Sequence, residues 1–404
     1  MANILSDNVF IEKKLRAISD QIESAGGFIH SNVDLSYDGN RFSIHKAGEI
    51  AEPHLIKIPD AMLVRYHDFD IDLEGQDIVI APYESNTSSP QYELFSTILA
   101  LYNESGVFKN HLETNPWLNY AQAPELMKLL LQSRGGPNLK TISEMLGNED
   151  YKEELALFTF FKKRMAYCQL DQHSDAVTEV YLPLLEFIEH HPYGAPYERL
   201  RGEEAAQNCM AIRPATPVAG SDECFSSFGS LDALDAYMHY GKISATAPIV
   251  RSIPLSIKLP KIGTVNIRTR NKSLPAKERP EHLRDLGHYL PLFHHRSGSR
   301  QIGLSHIIIP NEQAPRSLRR ILHEVLIQLE PKLDEHASAP YVEELETIII
   351  DRNLDYYRMI ISLIPAATTA GQDSSPRPVF YEAIYNMAMR QIHLLESYNA
   401  LHGK

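Results

Sequence analysis

Apolar and polar residues change period several times along this chain. Ile11, Leu15, Ile18 and Ile22 recur at helical spacing and Gly26-Gly27 follow, which predicts an amphipathic helix closed by a glycine stop. Val33, Leu35 and Tyr37 then alternate, Asp38-Gly39-Asn40 supplies turn residues, and Phe42 and Ile44 resume the alternation, which predicts a hairpin. Leu55, Ile56 and Ile58 before Pro59 predict another short strand. From Gln91 to Ser105 the residues Leu94, Phe95, Ile98, Leu101 and Tyr102 return to the helical period, with Gly106 placed to end that helix.

Residues from about 121 to 178 read as mainly helical, with a break at Arg134-Gly135-Gly136-Pro137 and a long amphipathic run from Glu149 to Leu170. Strand patterns resume at Asn208 to Arg213 and Cys224 to Phe228, and Leu231 to Tyr240 is helical before Gly241. Beyond about 246 the chain predicts a second, mostly helical domain. One of its helices holds Leu318, Ile321, Leu322, Val325 and Leu326 after Pro315, and another runs from Tyr381 to Tyr398 after the linker-like stretch Thr368 to Pro378. The expected class is α+β, with a first domain over 1–245 carrying a helical insert at about 121–178 and a helical domain over 246–404. No internal repeat is visible.

A length of 404 residues exceeds what one hydrophobic core usually serves, in line with two domains. Apolar runs such as Ile307-Ile308-Ile309 and Ile348-Ile349-Ile350 fall far short of the roughly 20 residues that span a bilayer. The start, Met1 to Phe10, lacks the basic and apolar regions of a secretory signal, so a cytoplasmic location and no membrane partner are expected. Cys168, Cys209 and Cys224 form no Cys-x-x-Cys pair and read as reduced core residues. The formal charge of −13 disfavours nucleic acid as a partner, and no dense Lys/Arg tract offsets it. The pairs His190-His191 and His294-His295 have no second ligand at a familiar spacing, so no metal is expected. Neither a phosphate-binding loop ending in Lys-Ser/Thr nor a Gly-x-Ser-x-Gly elbow is present.

Three segments, in order, resemble the SET family, in the branch of the plant Rubisco large-subunit lysine methyltransferase and the animal actin histidine methyltransferase. Gly39-Asn40-Arg41-Phe42 through Ile50 to Ile58-Pro59 is similar to the opening hairpin, with Arg41 where a second turn glycine is expected. Leu182-Pro183-Leu184 through Glu189-His190-His191-Pro192 resembles the family's "L-P-L-x-D-x-x-N-H-S", with Glu189 in place of the asparagine. Asp222-Glu223-Cys224 through Phe228-Gly229, leading into the helix that ends Tyr240-Gly241, resembles "G-E-x-x-x-x-Y-G", with Phe228 at the tyrosine. Weaker likeness comes from Leu94 to Gly106, from Pro116 to Tyr120, and from a helical C-terminal domain like the one that family members use for substrate docking.

The resemblance implies S-adenosylmethionine as cofactor and a protein lysine or histidine as methyl acceptor. Gly39, Arg41, Phe42, Glu189 and His190 fall at cofactor-binding positions, and Phe228, Tyr240 and Glu189 at positions near the chemistry. Methyl transfer is an in-line displacement, so positioning dominates, and a lysine acceptor with an ordinary pKa of about 10.4 must lose a proton first. Phe228 keeps a ring wall without the hydroxyl, a loss of order 1 to 3 kcal/mol where a buried partner goes unpaired. That is roughly ten- to a hundredfold in rate. Tyr237 and Tyr240 are alternative sources of a hydroxyl. Glu189 either faces the cationic sulfur or simply faces solvent. The alternative is a SET scaffold that has lost methyl transfer and serves as a binding protein or in another reaction on a small molecule, with Glu189, His190 or His191 as acid or base.

Overall fold

A computed structural model describes residues 2–81, 89–135, 137–170, 176–201, 207–214, 221–227, 229–241, 246–270, 272–295, 298–310, 316–365 and 379–402. In chain order the elements begin with β1 (Asn3–Leu5), α1 (Val9–Ser24), β2 (Phe28–Ile29), β3 (Val33–Tyr37), β4 (Phe42–Lys46), β5 (Ile56–Pro59), β6 (Ile71–Glu74), β7 (Asp77–Ile80), α2 (Pro90–Ser105) and α3 (Val107–Thr114). Next come α4 (Pro124–Ser133), α5 (Pro137–Met145), α6 (Lys152–Lys162), β8 (Met165–Cys168), β9 (Thr178–Tyr181), β10 (Glu189–Ala195), β11 (Tyr197–Leu200), β12 (Cys209–Ile212) and β13 (Phe225–Ser226). The remainder is α7 (Ala233–Tyr240), β14 (Ile249–Arg251), β15 (Leu255–Leu259), β16 (Gly263–Ile267), β17 (Phe293–His295), β18 (Gln301–Leu304), β19 (Ile308–Pro310), α8 (Ser317–Leu329), α9 (Glu335–Leu363) and α10 (Val379–His402).

The chain forms two compact units, Met1–Leu118 with Asn148–Gly229, and Asn119–Gly147 with Ser230–Lys404. The dividing lines differ from the expected boundary at 245. Residues 230–241 belong to the second unit, and the expected insert is split between the two.

In the first unit α1 starts where Asn8 Oδ1 accepts from the Phe10 and Ile11 N–H groups, and it buries Ile11, Leu15, Ile18 and Ile22 as the spacing predicts. α2 is capped by Ser89, begins at Pro90 and ends at left-handed Gly106. One sheet has the order β1-β3-β4, with β1 parallel to β3 and the predicted hairpin pairing Val33 with Lys46 through Tyr37 with Phe42. Another has the order β11-β12-β5-β2, so residues 209–212 pair across a long interval with 56–59. The run from Glu149 to Leu170 is helical only to Lys162. Met165–Cys168 is instead a strand paired with β9, because cross-strand pairing outweighs the helical propensity of its Met and Ala.

After 246 the second unit holds strands as well as the expected helices. Strands β14 to β19 occupy 249–310, with β14 paired to β19 and a four-stranded sheet of order β15-β16-β18-β17. α8 and α9 pack against strands of that sheet, and α10 packs on α9 and α7. Residues 119–147 are held by Arg134. Its guanidinium, buried to 1% exposure, donates to Asp232 at 2.6 Å, to Asp235 at 2.8 Å and to the Arg251 carbonyl at 3.0 Å. Arg251 reaches Asp235 at 3.0 Å. Burial alone would raise Asp235, but Arg251 and Arg134 pull its carboxyl below the usual range and keep it ionised. Among the described residues, no helix is long and apolar enough to cross a membrane.

Candidate functional site

The site begins at the β3–β4 turn. Asp38 Oδ1 accepts from the Asn40 and Arg41 N–H groups, each at 2.9 Å, and these bonds hold its carboxyl below the usual carboxylate range. Gly39 adopts φ +94°, and a Cβ there would meet nothing within 4 Å, so its requirement is conformational and its surroundings are open. Tyr37 Oη steadies the turn from between two acceptors, the Gly39 carbonyl at 2.9 Å and the Ser105 carbonyl at 2.6 Å, which share its single proton.

Two distant segments meet this hairpin. The Lys46 N–H donates to the Asp222 carbonyl at 2.8 Å, the Cys224 N–H to the Ile44 carbonyl at 2.7 Å, and His45 bridges Glu223 antiparallel. Strands β10 and β13 then run parallel, pairing Glu189 with Phe225 and His190 with Ser226, before β10 bends and Ala195 also faces Ser226. The Ala195 carbonyl accepts from Ser226 Oγ at 2.8 Å and from the Ser227 N–H at 3.0 Å. Gly194 permits this crossing. A Cβ there would lie 2.6 Å from the Ser226 carbonyl carbon and 2.7 Å from that of Phe225.

The side chains at the junction form an ion cluster. Arg41 binds Glu223 through both terminal nitrogens, at 2.8 and 2.9 Å, and also lies 3.6 Å from Glu189 and 3.9 Å from Asp38. Glu223, 10% exposed, is the anchor, whereas Glu189 at 30% and Arg41 at 43% remain open to solvent. The hydrogen bonds that Arg41 donates to Glu223 raise its guanidinium further, so it stays charged. One cation among three carboxylates leaves the cluster net negative, which favours a cationic ligand.

Beneath this surface Phe42 is buried and stacks on Phe187 at 4.7 Å. Deeper still, Glu186 accepts from Tyr102, whose hydroxyl lies 2.5 Å from that of Tyr181, and Arg164 sits 3.3 Å away. Burial pushes the Glu186 carboxyl up to about 8, against the pull of Arg164. His191 is buried on β10 against Phe225 and Tyr193, and burial lowers its pKa.

The structure therefore brings together Gly39, Arg41, Glu189 and the backbone of His190, with the Phe42 ring turned into the core. Phe228 lies outside the described residues. Tyr240 belongs to the second unit, where it ends α7 and burial, followed by Asp235, pushes its hydroxyl up to about 12. Glu223 and Asp38 were not singled out as site residues. Asp38 carried a local turn signal, but the Arg41–Glu223 pair spans 182 positions and leaves none. His294 and His295 are exposed on β17, and among the described residues no three His, Cys, Asp or Glu side chains gather as metal ligands.

No family model matches this chain, and no curated protein matches it in sequence. Among solved structures it is similar to the SET domain of LSMT, determined with lysine and AdoHcy bound. The identity is 12%, the superposition covers 96% of this chain and 90% of that one, and the TM-score is 0.44.

Proposed function

We propose that the chain is a SET-type, S-adenosylmethionine-dependent N-methyltransferase acting on a protein lysine or histidine. The observation that carries this reading is the meeting of the Gly39–Arg41 turn, the Glu189–His190 strand and the Asp222–Ser226 segment. These are the three stretches that resemble SET motifs, and 182 positions separate Arg41 from Glu223.

The residues fit such a cofactor by charge and by space. S-adenosylmethionine carries a sulfonium and an ammonium, and the Arg41, Asp38, Glu189 and Glu223 cluster is net negative beside the open turn at Gly39. Glu189 would attract the sulfonium, Arg41 would pair with a carboxylate, and the Gly39 turn and the His190 backbone would position the ligand. When bound, the cofactor supplies an activated methyl group for in-line transfer. The protein orients the acceptor and strips water from it, and Phe228, at the position where the resemblance expects a tyrosine, has no hydroxyl to offer.

A second reading keeps the scaffold without methyl transfer. It is favoured by the two-pronged bond from Arg41 to Glu223, which engages the guanidinium at the expected glycine position. Transfer of labelled methyl groups to lysine- and histidine-containing proteins separates the two. Transfer by the native chain, raised or preserved in Phe228→Tyr, is expected; no transfer by either form would leave the second reading standing.

A further inference from the structure

The mean charge of this chain hides a segregation. Between residues 251 and 300 there are eleven Lys and Arg against three Asp and Glu, a balance of +8 inside a chain of −13. Six of those cations lie on or beside the β15-β16-β18-β17 sheet, Lys258 within its strands and the others at their ends. Ile257, Leu259, Val265, Ile267, Ile302 and Leu304 are buried on the face that α8 and α9 cover. Alternation sends the other set to solvent. Ser256, Asn266, Gly303 and His294 form one row across the four strands, and Lys258, Thr264 and Gln301 form the next.

Arg268 and Arg270 continue past β16, their N–H groups bonded to the Leu304 and Ser305 carbonyls, and both are exposed. Lys261, Lys272 and Arg300 are exposed around the same sheet. Among the described residues none of these six cations forms an ion pair; the segment's salt bridges involve Arg251, His282 and Asp285. The acids of the segment, Glu278, Glu281 and Asp285, lie outside the strands, and Asp285 is paired with Arg320 at 2.6 Å.

We infer that the solvent face of this sheet docks the phosphate backbone of a nucleic-acid duplex. The face offers cations with hydroxyl, amide and imidazole groups and presents no carboxylate, which is the side-chain set that positions phosphates. Its two rows contain no Phe, Tyr, Trp or large aliphatic side chain. A protein partner would be left without the apolar anchors that dominate such interfaces, and single strands without a stacking platform. The whole-chain charge does not forbid the contact, because charges more than about 8 Å apart are largely screened at physiological salt. Recognition through backbone alone is indifferent to sequence. Four to six neutralised phosphates give a slope of about −4 to −5 in log K against log salt.

The test is fluorescence anisotropy of the full chain with a labelled duplex of about 20 base pairs, in two unrelated sequences, from about 50 mM to 200 mM salt. The comparison protein carries Lys258→Glu, Arg268→Glu and Arg270→Glu, all exposed positions, with circular dichroism to confirm folding. Equal binding of both sequences with the stated salt slope, weakened at least tenfold in the triple variant, is expected. No binding at the lowest salt, or binding unchanged in the triple variant, would overturn the inference. So would a polyglutamate peptide bound as tightly as the duplex, which would mark an acidic protein as the partner.

Discussion

Arg41 and Glu189 are two of the three positions, with Phe228, at which the sequence departs from the SET motifs it resembles, and they lie together at the same junction. Each is harder to rationalise alone: an arginine at a tight turn, a carboxylate where an amide is expected. Side by side, 3.6 Å apart and anchored by Glu223, they pair with one another inside a cluster that stays net negative. Glu189→Gln is expected to weaken S-adenosylmethionine about fivefold, which corresponds to about 1 kcal/mol for a partly exposed charge contact, and to spare its neutral thioether product. Equal losses in titrations of both ligands would contradict the electrostatic role. Glu186 gives a pH signature. Its folded pKa of about 8 stands above the ordinary 4.5, so the native state holds a proton that the unfolded chain has released. The stability it contributes is complete below about pH 4.5 and is lost as pH rises through about 8. Unfolding midpoints of the native chain and of Glu186→Gln should therefore draw apart with rising pH across that window, the native chain losing more; parallel profiles would assign the pH dependence elsewhere.

At the level of elements, what the sequence revealed was whatever repeats within a few residues. α1, the β3–β4 hairpin, α2 and α7 were legible because their apolar period and their stop signals, Gly26, Asp38-Gly39, Gly106 and Gly241, lie in contiguous chain. Strands β8 and β15 to β18 were missed because their definition comes from partners, parallel ones included in the case of β16 and β18. The 29-residue α9 was missed as well, its apolar positions spread among charged ones and a proline at 340. The crossing of β10 and β13 rests on Gly194, which no local pattern marked. Gly194→Ala pushes a methyl into the Phe225 and Ser226 backbone and should cost about 1 to 3 kcal/mol in denaturant unfolding. A loss near zero would mean the two strands separate easily. Arg134 plays the comparable part for 119–147. Arg134→Ala strands the buried Asp232 and Asp235 and should cost about 3 to 5 kcal/mol, in keeping with a broken buried ion pair.

Across the whole molecule the two units are interleaved in sequence, which the expected single cut at 245 did not foresee. A fragment ending at 229 keeps Leu126, Met127, Leu130 and Arg134 while losing the residues they pack on within their own unit, so it should aggregate where the full chain stays dispersed. The charge is distributed as unevenly as the sequence, with a net-negative cluster in one unit and a basic sheet in the other, and an average of −13 describes neither. The account turns on the first of these, the junction of turn, strand and acidic segment read as a cofactor site. Calorimetric titration of the full chain with S-adenosylmethionine and S-adenosylhomocysteine addresses it directly. Micromolar binding of both, with the cationic methyl donor the tighter, is the predicted result. No heat with either ligand at millimolar concentration would contradict it.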